Sequence, residues 1–268
     1  MSLTAVLLLF LTHLGIGIIL TLLLVSKEAG VKFFRFNAVL VLTLLLIGLA
    51  FRSPYDLASG LSTFSTLALV VCFLAVLSFR LIVGRIWPKL RPVLLWTATL
   101  SGFIALILQA LDVSSGTPLG MQVLTVASFF TSAALLGGAC TAMILGHWYL
   151  ILPSMDVAHL QGIVKFHIGS IGLRIVVVAV AVYMAIAGFE SFVVPDFQRY
   201  IFSVAGVFFW QRVLFGLLGP VVLSYLTWET AKIRSTQSAT GILYVDFFTV
   251  IVGEALAKYL VLSTQVPV

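Results

Sequence analysis

Four ionisable residues lie inside long apolar stretches of this chain, where a charge is costly. They are Arg174, Arg212, Asp246 and Glu254. An ionisable side chain within a membrane span needs a partner or a water-filled site, and such residues mark proton relays or ion paths. Two cations and two anions on three consecutive helices could instead neutralise one another and fix those helices together. The sequence leaves both interpretations open.

Histidines and aromatic residues add a second group of candidates. His13 lies in the first apolar run, and the segment GHWYLILP contains His147, Trp148 and Tyr149. The simpler interpretation of the two aromatic residues is a belt at headgroup level, whereas the adjacent His147 favours a shallow binding site. We expect His147 and His167 at similar depth on neighbouring helices, which leaves one b-type haem between them as an alternative.

Helical spacing relates several of these groups. His167 and Arg174 are seven residues apart and therefore share one face of a helix. Glu254 and Lys258 are four residues apart and can pair locally, although Lys258 could also extend to the membrane surface.

Cysteine spacing indicates no metal site. Cys72 and Cys140 lie far apart within apolar runs and belong to no CxxC pattern, so we predict two buried thiols.

Composition determines the elements that must position these residues. Of 268 residues, 62% are hydrophobic and 9% are charged, against roughly 25% charged residues in a soluble domain. This excludes a soluble enzyme, a disordered chain and a nucleic-acid-binding domain. The long apolar runs predict an all-α polytopic membrane bundle. We expect one transmembrane domain of about eight spans, near 3–26, 36–52, 61–84, 92–111, 121–150, 160–188, 199–226 and 238–262. Pro220 predicts a kink in the seventh span.

Basic residues at the ends of the spans predict the orientation of the chain. The first, third and seventh connections contain the basic residues Lys27, Lys32, Arg35, Arg85, Lys89, Arg91, Lys232 and Arg234. The even connections contain Asp56, Asp112, Glu190 and Asp196, with Arg52 and Arg199 as their only basic residues, and the fifth connection, with Asp156 and His159, does not follow the pattern. Because basic residues favour the cytoplasmic side, we expect both termini outside. The expected location is a bacterial inner (cytoplasmic) membrane, in contact with lipid.

The seventh and eighth spans resemble those of the DMSO-reductase membrane anchors, which are related to the polysulfide-reductase anchors. In that family the last helix has a Gly-Glu pair followed by a basic and an aromatic residue, and the seventh has an aromatic-basic pair. The matching residues here are Gly253, Glu254, Lys258 and Tyr259 in VGEALAKYL, and Trp210 and Arg212 in FWQRVLFGLLG. The resemblance covers the helix count and about two helices in residues. Where that family has a His near the end of the second helix, this chain reads FRSPYD.

The resemblance implies a quinone-interacting membrane subunit that is not catalytic alone. It implies electron exchange between menaquinone or ubiquinone and an iron–sulfur or cytochrome subunit. Quinone chemistry needs hydrogen-bond partners and a carboxylate or histidine that relays protons. The candidates for these roles are Arg212, Glu254, Arg174, Asp246, His147, Tyr149 and His13. A small-solute or ion transporter, and a structural or assembly subunit, remain alternatives.

Overall fold

The computed structural model describes residues 3–52, 60–84, 89–151, 156–187 and 197–268, and it contains helices and no strand within them. The predicted all-α polytopic bundle is confirmed. The helices are α1 Leu3–Leu22, α2 Gly30–Ala50, α3 Gly60–Ile82, α4 Leu90–Val113, α5 Leu119–Ile151, α6 Ala158–Ala187, α7 Phe197–Ile201, α8 Val207–Val213, α9 Gly219–Lys232 and α10 Thr236–Thr264.

Seven helical segments of the described residues are long and apolar enough to cross a membrane. They are α1, Lys27–Ala50, α3, α4, α5, α6 and Val204–Lys232. The chain is therefore an integral membrane protein. An eighth long helix, α10, has 29 residues and covers the predicted span 238–262, but it contains several charged residues and is not among the seven.

The first two helices differ from the predicted spans. Helix α1 ends at Leu22 rather than near 26, and α2 begins six residues earlier than predicted, at Gly30. A short 3₁₀ turn, Lys27–Ala29, separates them. The Glu28 N–H donates to Ser26 Oγ at 3.3 Å, which caps this turn. Gly30 then has a φ of 80°, a conformation that residues with a side chain rarely adopt.

The outer surface of the bundle is apolar. Leu46, Phe64, Leu173, Val222 and Phe248 come from five different helices, and each is more than half exposed. Apolar surface of this extent is unusual for a soluble monomer and typical of a protein that contacts lipid. The side chains of Arg174, Arg212, Asp246 and Glu254 are instead buried inside the bundle.

The seventh span is interrupted. Helix α8 leads into one π-helical turn, Leu214–Leu218, and α9 follows with Pro220 in its first turn. The kink predicted at Pro220 therefore occurs as a π turn just before the proline. Proline lacks an N–H and crowds the carbonyl four residues earlier, here that of Gly216, and the wider turn relieves this conflict.

The bundle has two ends, which we name by their connections. The first end contains the α1–α2 and α3–α4 connections, and the second end contains the α2–α3 and α4–α5 connections. The predicted topology markers Asp56, Arg85, Glu190 and Asp196 lie outside the described residues. Which end faces the cytoplasm stays a prediction.

Candidate functional site

A single buried carboxylate, that of Glu254 on α10, is surrounded by three cations. Its Oε1 accepts hydrogen bonds from Arg212 Nη2 at 2.8 Å and from Arg174 Nε at 3.1 Å. Arg174 Nη2 also donates to Oε2 at 3.3 Å, and Lys258 Nζ lies 3.6 Å from Oε2. None of the four side chains is more than 1% exposed. The possibility that Lys258 extends to the surface is therefore wrong, and it pairs with Glu254.

Ser132 on α5 connects this carboxylate to His13 on α1. Lys258 Nζ donates to Ser132 Oγ at 2.6 Å, and Ser132 Oγ donates to Glu254 Oε2 at 2.5 Å. His13 Nδ1 lies 3.4 Å from the same Ser132 oxygen. Because the serine hydroxyl has one proton, which points to Glu254, His13 interacts with it as an Nδ1–H donor. The Nε2 of His13 is then an acceptor. We call Glu254, Arg174, Arg212, Lys258, Ser132 and His13 the Glu254 cluster.

The two arginines of the cluster differ in how completely they are bonded. Arg174 Nη1 donates to the Ser128 hydroxyl and carbonyl at 2.5 and 3.0 Å, and its Nη2 donates to Val268 O at 3.3 Å. Arg212 has its Nη2 bond to Glu254, but its Nε and Nη1 have no hydrogen-bond partner in the described part of the chain. Arg174 is therefore fixed in place, whereas Arg212 retains unused donors.

Positive charge is in excess within the Glu254 cluster. Among the described residues that form it, three cations face one carboxylate. An uncompensated buried charge is costly, so this excess of side-chain cations needs either a function or an anion.

Asp246 is paired with a histidine and not with Arg174 or Arg212 in the described structure. The interpretation in which two cations and two anions neutralise one another as one group is therefore wrong. Asp246 is fully buried, and its Oδ2 lies 2.7 Å from Nε2 of His167. It precedes Glu254 by eight residues, which is about 12 Å along a helix. The protein thus has two separate polar layers. His167 and Arg174, which we predicted on one face of α6, belong to different layers. His167 lies against Asp246, and Arg174 pairs with Glu254.

Tyr149 has a structural position at the first end. Its hydroxyl donates to the Asp156 carbonyl and accepts from the Leu160 N–H at 3.3 Å, which ties α5 to the start of α6. Its neighbour Trp148 donates to the Ala29 carbonyl at 3.0 Å. Both aromatic residues therefore hold connections together, and neither reaches the Glu254 cluster.

His147 and His167 do not face each other. His147 is exposed, with Nδ1 3.3 Å from the Tyr244 hydroxyl, whereas His167 packs against Gly138 of α5. Gly138 and His147 are nine residues apart, about 13 Å along the helix. The expected similar depth is wrong, and this arrangement does not fit a haem held by both rings.

A cavity at the second end approaches the Glu254 cluster. It has a volume of about 240 Å³, and its lining includes Arg52, Ser62, Gln109 and Asp112. The Gln109 side chain lies beside the His13 ring, and its Nε2 donates weakly to Thr12 Oγ1 at 3.4 Å. His13 Nε2 and Gln109 Oε1 are buried without a hydrogen-bond partner among the described residues. Polar groups thus extend from the cavity to Glu254.

The sequence singles out only part of this site. Arg174, Arg212, Glu254 and His13 were candidates, and the structure brings all four together. Nothing in the sequence marks Ser132, because serine in a helix often bonds its own backbone. No protein-family model matches this chain, and no curated protein is similar enough to count as a relative.

Proposed function

We propose that this chain is a quinone-interacting membrane subunit of an electron-transfer complex and that the Glu254 cluster is its internal proton relay. The observation that carries the proposal is the line of polar side chains Gln109, His13 and Ser132 between a cavity at one bundle end and Glu254. Quinone reduction takes up two protons with its two electrons, so it requires such a route.

The cavity at the second end suits a quinone ring. Leu8, Leu49 and Leu69 contribute apolar walls, and Arg52 and Ser62 contribute hydrogen-bond donors for a carbonyl oxygen. Its 240 Å³ is smaller than the roughly 300–1,000 Å³ of drug-sized sites, which favours a single ring whose isoprenoid tail remains in lipid.

His13 is the proton-exchanging group in this proposal. Its Nε2, which has no hydrogen-bond partner among the described residues, can accept a proton while its Nδ1–H donates to Ser132. Ser132 in turn passes its own proton to Glu254. Imidazole is suited to this role because one ring nitrogen accepts while the other donates. Electrons must enter from a partner subunit that contains an iron–sulfur or cytochrome group.

The excess positive charge supports a second candidate, the transport of a small anion. Arg212, one of the three cations around Glu254, has two donors without a hydrogen-bond partner among the described residues. In that case the Glu254 cluster would bind the transported anion, and quinone would have no effect on the protein.

Photolabelling and mutation test the proposal. The chain is purified with its associated proteins and irradiated with an azidoquinone, and labelled peptides are mapped. We expect labelling of peptides from the start of α1 and the start of α3, with competition by unlabelled quinone. In the isolated complex, Gln109→Leu should slow quinone turnover, because it removes the polar side chain that lies between the cavity and His13.

Gln122→Leu is the matched control, because Gln122 bonds the Thr117 carbonyl and does not line the cavity. It should leave turnover unchanged. Labelling that unlabelled quinone does not displace, or equal effects of the two substitutions, would contradict the quinone proposal. Anion uptake by liposomes that contain the chain alone would favour transport.

A further inference from the structure

A second, larger cavity lies at the first end of the bundle, opposite to the end that contains the quinone cavity. Its volume is about 660 Å³, and it lies between the end of α1, the start of α2, the end of α3 and the start of α4. Its walls are mainly apolar and include Leu22, Val31, Phe34, Phe79 and Leu95. Trp96, which is 55% exposed, lies at its edge and faces the lipid side.

Three basic residues from two separate connections surround this apolar cavity. They are Lys27 in the turn after α1, and Lys89 and Arg91 at the start of α4. None of the cavity-lining residues that the structure describes is acidic. Nor does any of the three cations form an ion pair with a carboxylate in the described part of the chain. This cavity therefore combines apolar walls with basic side chains that no described carboxylate neutralises.

Neighbouring charged residues show a different pattern. Arg35 donates twice to the Val83 carbonyl, at 3.2 and 3.0 Å, and so ties α2 to α3. Glu28 pairs with His159 at 2.8 Å, and Lys232 pairs with Glu229 at 2.6 Å. A general preference of basic residues for one membrane face explains their presence at this end. It does not explain why three of the basic residues that have no carboxylate partner in the described structure line one apolar cavity.

We propose that this cavity binds an anionic phospholipid of the surrounding membrane. The phosphate lies against Lys27, Lys89 and Arg91, and one acyl chain packs on the apolar walls. Basic clusters at a membrane surface attract anionic lipids, and pockets that combine basic residues with helix surfaces bind their headgroups. The proposal concerns the opposite end from the quinone cavity and does not depend on it.

Tryptophan quenching tests this proposal directly. A variant that retains Trp96 as its only tryptophan has Trp87, Trp148, Trp210 and Trp228 replaced by Phe. It is reconstituted with brominated phosphatidylglycerol or brominated phosphatidylcholine. We expect the anionic lipid to quench Trp96 at a lower mole fraction than the neutral lipid. Each of Lys27→Gln, Lys89→Gln and Arg91→Gln should reduce this preference about fivefold.

A Lys232→Gln/Arg234→Gln variant is the control for loss of basic charge at this end of the bundle. These residues lie at the same end but do not line the cavity, so the preference for phosphatidylglycerol should persist. Equal quenching by the two lipids would overturn the proposal. A control variant that loses the preference as completely as the cavity variants would overturn it as well.

Thermal stability provides a second measurement with all tryptophans present. In neutral detergent, phosphatidylglycerol should raise the unfolding temperature more than phosphatidylcholine. The Lys27→Gln/Lys89→Gln/Arg91→Gln variant should lose that difference. Stabilisation by a short-chain quinone and none by phosphatidylglycerol would overturn the lipid assignment. The Gln109→Leu experiment is unaffected by either result, so the two proposals fail separately.

Discussion

Replacement of Glu254 by glutamine tests whether this carboxylate holds the cluster together. The change removes the only negative charge facing Arg174, Arg212 and Lys258 in the described structure, while it preserves the side-chain volume. Breaking a buried ion pair by removing one partner typically destabilises a protein by ~3–5 kcal/mol. Because three cations lose their counter-charge together, we expect Glu254→Gln to reach the upper part of that range.

Lys258→Met is the informative comparison, since it removes one of the three cations and leaves the carboxylate paired. Glu254 retains its bonds from Arg212 at 2.8 Å, from Arg174 at 3.1 and 3.3 Å, and from Ser132 at 2.5 Å. Methionine fills the apolar space beside the Phe129 ring, which lies 5.2 Å from Lys258 Nζ. The expected stability is within about 1 kcal/mol of the unsubstituted protein, because the excess charge falls.

The assay is reversible unfolding in mixed micelles, followed by circular dichroism. The double variant Glu254→Gln/Lys258→Met completes a cycle, and it should be more stable than Glu254→Gln alone by ~0.5–3 kcal/mol. The reasoning from charge excess is wrong if Lys258→Met destabilises the protein as much as Glu254→Gln does. It is also wrong if the double variant recovers nothing.

Four further outcomes follow from packing and burial. Gly17→Ala should destabilise the protein by ~1–3 kcal/mol, because the new Cβ overlaps the α5 backbone. Gly169→Ala, with nothing within 4 Å of its Cβ, should be neutral or stabilising in the same unfolding assay. Cys72 and Cys140 are buried, so a water-soluble maleimide should label them only after the chain is unfolded, as mass spectrometry can measure. Asp246→Asn should destabilise less than the cluster change, because its partner is one imidazole rather than three cations.

The positions of the helices could be predicted from the sequence because hydropathy and length determine them. Each predicted span overlaps one long helical segment of the structure. The ends could not be placed as well, because they depend on local capping such as that of Ser26. The π turn before Pro220 could not be predicted either, because a helix can accommodate a proline in several ways. Which of them occurs depends on the packing of this segment against α10.

Part of the site follows from spacing along single helices. The four-residue interval from Glu254 to Lys258 predicted their pairing. The eight-residue interval from Asp246 to Glu254 means about 12 Å along a helix. That separation is the physical reason why Asp246 does not share the arginines. Asp246 lies against His167 instead. This contact depends on the rotation of α6 relative to α10, which the spacing of residues within one helix does not determine.

The inclusion of His13 could not be predicted, because it depends on a contact between residues 119 positions apart. The approach of α1 to α5 that permits it is a packing property. Gly17 lies four residues after His13 on the same face of α1, and its backbone touches that of Gly137. At this interface the small residues bring the two backbones close enough for a short serine side chain to reach the imidazole.

A second close contact between glycines lies where the seventh span packs against α10, beside Arg212 and Glu254. Gly216 lies four residues after Arg212, and a Cβ on Gly253 would overlap its backbone. Gly253 directly precedes Glu254, so this contact positions the arginine against the carboxylate. Each polar contact therefore lies within about one turn of a glycine contact. A larger residue at Gly17 or Gly137 would separate α1 from α5 and break the contact between His13 and Ser132, and one at Gly216 or Gly253 would separate Arg212 from Glu254, although neither change would alter a charged group.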